Sequence, residues 1–220
     1  MSRCLLCENS TEIDSWRAFF GAKPPPLCEA CLSTLKKISG PSCKICARPM
    51  EKEAVCPDCL AWRKSTFVTN ASLYHYNDAM QALIARFKYR GDYALADIFA
   101  QDIRTAAQKA ACDLVCAVPL APSRLAERRF NQSEALIERA GLTGMPLLAR
   151  KESDKQSKKS RKERVGSRQT FYPIGDAAGK SVLLIDDIYT TGATIRLAAD
   201  ALEEAGAHSV KSITVARSGS

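Results

Sequence analysis

The sequence predicts an α/β protein, with a parallel β-sheet that carries helices on both faces and a small cysteine-rich module before it. Two observations lead to this prediction. In residues 182–194, four apolar residues run into an acid pair and a glycine turn, and a helical stretch follows. Eight of the ten cysteines form four C-x-x-C pairs before residue 60. We therefore expect a metal-binding module over residues 1–64 and an α/β domain over residues 65–220.

The run at 182–194 predicts a strand, a binding turn and a helix. Residues 182–185 are uniformly apolar, as in a strand buried on both faces of a parallel sheet. Asp186 and Asp187 then lie at its carboxyl end, where open α/β sheets bind ligands. The following Thr-Thr-Gly-Ala-Thr offers backbone N–H groups, hydroxyls and a helix N-terminus to one anion. It is not a Walker loop, because no lysine follows the glycine.

Hydrophobic periodicity and turn signals predict the other elements. We expect strands over 68–76, 113–119 and 210–216, the last closing the sheet, and helices over 78–91, 94–107, 133–140 and 193–204. Strands 113–118 and 182–186 are separated by a helical segment and a long loop. They are therefore expected to be parallel, with the loops that follow them at one rim of the sheet.

Two basic segments are candidates for anion binding. Ser123, Arg124 and Arg128 follow the strand that ends at residue 119, and guanidinium groups suit a multiply charged phosphate. Residues 150–168 contain nine basic residues against three acidic ones and almost nothing apolar, which predicts a mobile loop or an exposed helix. This segment is either a solvated loop, a DNA-backbone contact, or a flap that grips a polyphosphate through Lys155, Lys158 and Lys159.

The cysteine pairs predict two structural zinc sites. Two sulfurs of one knuckle turn can reach the same ion, and two knuckles complete a tetrahedron. Disulfides are the weaker alternative in a reducing compartment. Sequential pairing of the knuckles is favoured over an interleaved arrangement, which the spacing does not exclude. With four thiolates per ion no position is open for catalysis. The expected zinc ligands are Cys4, Cys7, Cys28, Cys31, Cys43, Cys46, Cys56 and Cys59.

The sequence has no membrane or export signal that we recognise. No stretch approaches the roughly 18 apolar residues of a membrane span. The first residues also lack a secretory apolar region and a cleavage site. We therefore expect a cytoplasmic protein without a membrane span.

The segment 182–194 resembles the phosphoribosyl pyrophosphate (PRPP) signature of type I phosphoribosyltransferases, which implies that fold for the sheet domain. The resemblance implies that Asp186 and Asp187 bond the ribose 2′- and 3′-hydroxyls. It also implies a 5′-phosphate site formed by Thr190, Thr191, Gly192, Ala193 and Thr194. Purine-salvage relatives usually carry a carboxylate base at the position of Thr190. Salvage of 6-oxopurines is therefore not expected, and no catalytic residue is identified.

Five motifs in order along the chain resemble the ComF family. They are the cysteine knuckles, residues 87–92 (FKYRGD), residues 127–132 (ERRFNQ), residues 155–157 (KQS) and the 182–194 signature. The resemblance implies a role in DNA uptake during natural transformation. It implies a domain that binds PRPP with Mg²⁺, the pyrophosphate lying against Ser123, Arg124, Arg128 and the lysine flap. Expected partners are the competence helicase ComFA, a further competence protein and single-stranded DNA.

Two kinds of activity stay open at this point. The chain is either a phosphoribosyltransferase with an unknown acceptor, or a non-catalytic adaptor that senses nucleotides or binds single-stranded DNA and docks the helicase. The family commonly has glycine where this chain has Arg129. If that position needs a positive φ, arginine strains the turn, and if not, Arg129 adds a phosphate-binding cation.

Overall fold

The computed structural model describes residues 2–11, 20, 24–62, 66–152 and 170–219. The strands among these residues are β1 Ser2–Arg3, β2 Ser10–Thr11, β3 Phe67–His75, β4 Leu114–Ala117, β5 Leu148–Arg150, β6 Phe171–Pro173, β7 Ser181–Tyr189 and β8 Ser209–Arg217. The α-helices are α1 Glu29–Thr34, α2 Pro57–Ala61, α3 Asp78–Tyr89, α4 Ala100–Ala110, α5 Pro122–Arg128, α6 Gln132–Arg139 and α7 Ala193–Glu204.

A four-stranded parallel sheet forms the centre of the molecule, in the order β3-β8-β7-β4. The prediction that the last strand closes the sheet was wrong, because β8 lies between β3 and β7. Burial explains this position: residues 212–217 are all buried, as a strand covered on both faces requires. Strand β3 instead alternates between buried and exposed residues and forms an edge.

Helices cover both faces of the sheet, as the sequence predicts. On one face, α3, α4 and α6 pack against Leu183 and Ile185 of β7. On the other face, α7 packs against Val182 and Leu184. Each large apolar side chain buried in these layers contributes roughly 1.5–3 kcal/mol. The alternation of neighbouring β7 residues between two cores fixes the register of this strand.

The four helices predicted for the sheet domain begin and end close to the expected residues, with one exception, whereas α5 lies where the sequence predicted no helix. The Asn77 side chain caps α3 by accepting a hydrogen bond of 3.0 Å from the Met80 N–H. The single helix expected over residues 94–107 is two elements, a 3₁₀ helix at Tyr93–Ile98 and then α4. Phe99 lies at the junction of these two elements, and its fully buried ring packs edge-on against Tyr74 at 5.7 Å.

The cysteine-rich module lies around the exposed edge of β3. The segment between its two halves pairs with that edge, since Ile38 N–H donates to Leu73 O and His75 N–H donates to Lys36 O. The first cysteine group joins the core under α3 and α4, and the second joins the core under α7. The module therefore covers an edge that would otherwise leave backbone groups unpaired.

Strands β5 and β6 form an antiparallel pair that the sequence did not predict. They frame the basic segment, of which the structure describes only Arg150, Lys151 and Glu152. Within the described ranges, none of the helices has the length and apolar character needed to cross a bilayer.

Candidate functional site

The acid pair lies near the carboxyl end of β7, in a strand that continues to Tyr189. Asp187 forms an ion pair with Lys88 from the last turn of α3, with 2.8 Å between Oδ2 and Nζ. Asp186 Oδ1 accepts a hydrogen bond of 2.9 Å from the Asp187 N–H and a longer one of 3.4 Å from the Ser133 hydroxyl. Three elements therefore converge on the two carboxylates.

The two carboxyl groups differ in their electrostatic environment. Burial, and secondly the charge of Asp187, raise the pKa of Asp186 to about 7, against the smaller opposing effects of Lys88 and Ser133. Near neutral pH the Asp186 carboxyl is therefore partly protonated. It can both donate and accept hydrogen bonds, while the ion pair with Lys88 compensates the charge of Asp187.

The turn after β7 combines two exposed threonines, a glycine with positive φ and the start of a helix. Thr190 and Thr191 are exposed, and Gly192 has a φ of 83°, which favours glycine. Side-chain space requires glycine as well, since a Cβ at Gly192 would overlap the Tyr189 hydroxyl oxygen. The 12-residue helix α7 begins directly afterwards at Ala193, so its N-terminus faces the same turn.

Thr194 lies in the first turn of α7 and is partly exposed. The Ala193 N–H makes only a long hydrogen bond of 3.4 Å, to the Thr191 hydroxyl. The five residues predicted to bind a phosphate are thus consecutive around one helix N-terminus.

A second group of donors lies at the start of α5. The Ser123 backbone N–H and hydroxyl both donate to the carboxylate of Glu152, with 3.0 Å for the backbone bond. A side-chain carboxylate therefore occupies the donors that the sequence assigns to pyrophosphate. Arg124 is exposed and pairs with Glu127 at 2.8 Å.

Arg128 and Arg150 extend this positive rim towards the acid pair. Arg128 donates to Gln132 at 2.9 Å, and its buried Nε has no hydrogen-bond partner among the described residues. Burial lowers the pKa of Arg150, the Asp186 charge raises it, and Arg128 and Arg124 lower it. Asp186, Arg124 and Arg128 therefore each lie within electrostatic reach of the Arg150 guanidinium. Strands β4 and β7 are parallel neighbours, so the loops that follow them share one rim.

Sequence reasoning missed several residues at this rim. Lys88 was not singled out as a site residue, although its position in the FKYRGD motif was a usable signal. Ser133, Arg150 and Glu152 approach the site only through tertiary contacts. The predicted flap residues Lys155, Lys158 and Lys159 lie outside the described residues.

The cysteines form two groups of four, paired sequentially as favoured from the sequence. Within each group all four sulfurs lie within 4.8 Å of one another. Two of the distances between knuckles are 3.5 Å, from Cys7 Sγ to Cys28 Sγ, and 3.7 Å, from Cys46 Sγ to Cys56 Sγ. A tetrahedron with Zn–S bonds of 2.3 Å has edges of roughly 3.8 Å. Both groups fit structural zinc.

Comparison with known proteins agrees with this two-part organisation. A double zinc ribbon domain matches residues 2–60, and a phosphoribosyl transferase domain matches residues 140–220. Competence protein ComFC of Bacillus subtilis is 40% identical over 98% of this chain and 95% of its own length. Competence protein ComFC of Streptococcus pneumoniae is 38% identical over 87% of each chain.

One similar solved structure is a hypoxanthine phosphoribosyltransferase from Staphylococcus aureus. It is 18% identical and covers 56% of this chain and 62% of its own length, with a TM-score of 0.35.

Proposed function

The chain belongs to the ComFC family of competence proteins, and we propose that it acts in DNA uptake during natural transformation by binding PRPP or a related 5-phosphoribosyl ligand. One observation carries the ligand assignment. The acid pair of β7, with Asp187 buried and Asp186 half-buried, is followed within five residues by a glycine turn at a helix N-terminus. This order supports a site in which hydrogen-bonding groups for a sugar diol lie beside donors for a phosphate.

The acid pair suits vicinal hydroxyl groups. Asp187 pairs with Lys88 and its carboxyl oxygens can accept hydrogen bonds, whereas Asp186 both donates and accepts near neutral pH. In the proposed complex these two residues bind the ribose 2′- and 3′-hydroxyls. Asp187 is only 7% exposed, so binding a ligand that leaves its carboxyl group without a hydrogen-bond partner costs free energy. The site therefore favours ligands that carry both hydroxyls.

The phosphate groups would occupy the two donor clusters. The 5′-phosphate binds to Thr190, Thr191, Gly192, Ala193 and Thr194, where the α7 dipole favours negative charge. The pyrophosphate binds to Ser123, Arg124 and Arg128 after displacing Glu152, with Lys155, Lys158 and Lys159 as further cations. Mg²⁺, which prefers phosphate oxygens and water to all-protein cages, would enter with PRPP and neutralise its charge.

The acceptor is not assigned, and a non-catalytic role is the second candidate. The position used by purine-salvage relatives for a base is Thr190, which cannot act as a carboxylate. This favours a protein that senses nucleotides or binds single-stranded DNA and docks the helicase ComFA, possessing the fold without turnover. The net charge of +8 suits contact with a DNA backbone.

Further parts of the proposal follow from the family and from the cysteines. ComFA and another competence protein are the proposed partners. Eight cysteines held as zinc thiolates favour a reducing compartment, so we place the protein in the cytoplasm.

Substitution of the acid pair separates the two candidate functions. We expect Asp186→Asn and Asp187→Asn to weaken calorimetric binding of PRPP with Mg²⁺ at least tenfold. The same variants should leave single-stranded DNA binding unchanged or improved, because DNA contact depends on phosphates. Asp113→Asn is the matched control, since Asp113 is exposed at the start of β4. PRPP binding that survives both substitutions would refute the ribose assignment.

A further inference from the structure

Two buried arginines lie beside the second cysteine group, which comprises Cys43, Cys46, Cys56 and Cys59. Arg196 of α7 is 6% exposed, and its Nη2 lies 3.5 Å from Cys59 Sγ. Arg217 at the end of β8 is 4% exposed and lies within electrostatic reach of Cys46. Both arginines belong to the sheet domain, so the contact joins the two parts of the chain.

In the part of the chain that the structure describes, neither the Arg196 nor the Arg217 guanidinium forms an ion pair with a carboxylate. Buried N–H groups of both side chains, at Nε of each and at Nη1 of Arg217, also have no hydrogen-bond partner in that part of the chain. Buried cations are stable only when they are paired. A zinc ion with four thiolates carries a net charge of −2 and would supply the missing counter-charge.

Aromatic rings hold both arginines in place. The Arg196 guanidinium lies 4.8 Å from the ring centre of Trp62 and 5.0 Å from that of Phe67. The Arg217 guanidinium lies 4.8 Å from the ring centre of Tyr189. Planar stacking of this kind suits arginine and leaves its edge N–H groups available to the sulfurs.

Tyr189 connects this cluster to the phosphate-binding turn. Its side chain is 2% exposed and lies within electrostatic reach of Cys46, Cys59 and Arg196. The Tyr189 hydroxyl oxygen occupies the space that a side chain at position 192 would need. The second cysteine group, the two arginines, Tyr189 and Gly192 are thus one continuous set of contacts.

Among the described residues, no buried arginine of this kind contacts the first cysteine group. Its described guanidinium contact is Arg86 Nη2 donating to the backbone carbonyl of Leu5, and Arg86 is already paired with Asp92 at 2.7 Å. The first group also packs under α3 and α4, on the opposite face of the sheet from α7. It therefore serves as an internal comparison.

We propose that Arg196 and Arg217 are outer-shell cations of the second zinc centre, and that through Tyr189 this centre holds the turn at Gly192 in its phosphate-binding conformation. These three side chains are positioning residues. The expected change in the affinity for ribose 5-phosphate rests on the function proposed above. The coupling between the zinc centre and the turn does not rest on it. Outer-shell partners of metal sites commonly change metal affinity 10- to 100-fold.

Three measurements on Arg217→Met and Arg217→Lys test the proposal. For Arg217→Met we expect zinc release to a chelator about tenfold faster from one of the two centres. Amide hydrogen exchange of residues 190–194 should rise, and the affinity for ribose 5-phosphate should fall about tenfold with it. Arg217→Lys keeps the charge and should restore most of the zinc retention. Arg139→Met is the matched control, since Arg139 also lies over a tyrosine ring, at 5.1 Å from Tyr93.

Selective loss of each zinc centre provides a second test. Cys56→Ser should raise hydrogen exchange in residues 190–194, whereas Cys28→Ser should leave it near the wild-type value. Unchanged zinc release and unchanged exchange in Arg217→Met, or equal effects of the two cysteine substitutions, would overturn the coupling. If the wild type does not bind ribose 5-phosphate, the proposed function fails, while zinc release and exchange still decide this inference.

Discussion

Lys88 Nζ lies 2.8 Å from Asp187 Oδ2, and both side chains are largely buried, at 17% and 10% exposure. This ion pair joins the last turn of α3 to the carboxyl end of β7. Removing one member of a buried pair leaves the other charge uncompensated, which costs far more than losing a surface pair. Loss of either member is therefore expected to destabilise the fold.

Lys88→Met should lower the free energy of unfolding by about 3 kcal/mol, because Asp187 then lacks its cation. Lys37→Met is the control: Lys37 pairs with Asp102 at 2.7 Å but is 60% exposed, so its loss should cost less than about 1 kcal/mol. Urea denaturation of both variants measures the difference. An equal loss of unfolding free energy in the two variants would contradict the buried character of the pair between Lys88 and Asp187.

The raised pKa of Asp186 predicts a pH-dependent stability. Burial and the Asp187 charge place this pKa at about 7, above the ordinary value of about 4 for an unfolded chain. The native state therefore binds the proton more tightly. This contribution to stability is fully present below about pH 4 and is lost as the pH rises towards 7.

Urea denaturation at several pH values tests this sign. Relative to the wild type, Asp186→Asn should gain stability as the pH rises from about 4 to about 7, since the amide does not ionise. Asp113→Asn, at an exposed carboxylate with a lowered pKa, should show no such gain. If the wild type and Asp186→Asn differ in free energy of unfolding by the same amount at every pH, the raised pKa of Asp186 is contradicted.

Arg129 has a φ of 69°, in the left-handed region, and ends α5 as its C-cap. The first of the two alternatives for this position is thus confirmed: the turn needs a positive φ, and arginine strains it. Arg129→Gly should raise the free energy of unfolding by about 0.5–1 kcal/mol. Arg129→Ala removes the same side chain but keeps the strain, so it should give no gain in thermal or urea denaturation.

Glu152 competes with the proposed pyrophosphate for Ser123. Because its carboxylate accepts from both the N–H and the hydroxyl of Ser123, Glu152→Gln should strengthen binding of Mg²⁺-pyrophosphate by about three- to tenfold. Glu127→Gln is the matched control, since Glu127 pairs with Arg124 instead. Calorimetry compares the variants. Weaker binding in Glu152→Gln would show that Glu152 supports the ligand site instead of occupying it.

The parts of the fold that local sequence patterns encode were predicted well. The uniformly apolar residues 182–185, the acid pair and Gly192 predicted β7, its end and α7, because burial and positive φ leave direct marks on residue type. C-x-x-C spacing likewise predicted two zinc sites, since a knuckle turn is local. Sequential pairing was favoured over an interleaved arrangement and is confirmed by the two groups of four cysteines.

Long-range features were not predictable in the same way. The interior position of β8 depends on which strand occupies the centre of the sheet. No local pattern in residues 209–217 predicts that outcome. The partners of Asp187 and Ser123, Lys88 and Glu152, come from elements distant in sequence. The buried Arg217 could not be recognised, because an arginine at a strand end is usually exposed.

The most direct test of the acid pair and its adjacent turn is calorimetric titration with ribose 5-phosphate and with 2-deoxyribose 5-phosphate. Carboxyl groups that bind both hydroxyls of a diol lose a hydrogen-bond partner when one hydroxyl is missing. We predict that ribose 5-phosphate binds at least tenfold more tightly, and that Asp187→Asn removes most of this preference. Equal affinity for the two sugars, or no binding of either, would contradict the assignment of this site to a phosphorylated ribose.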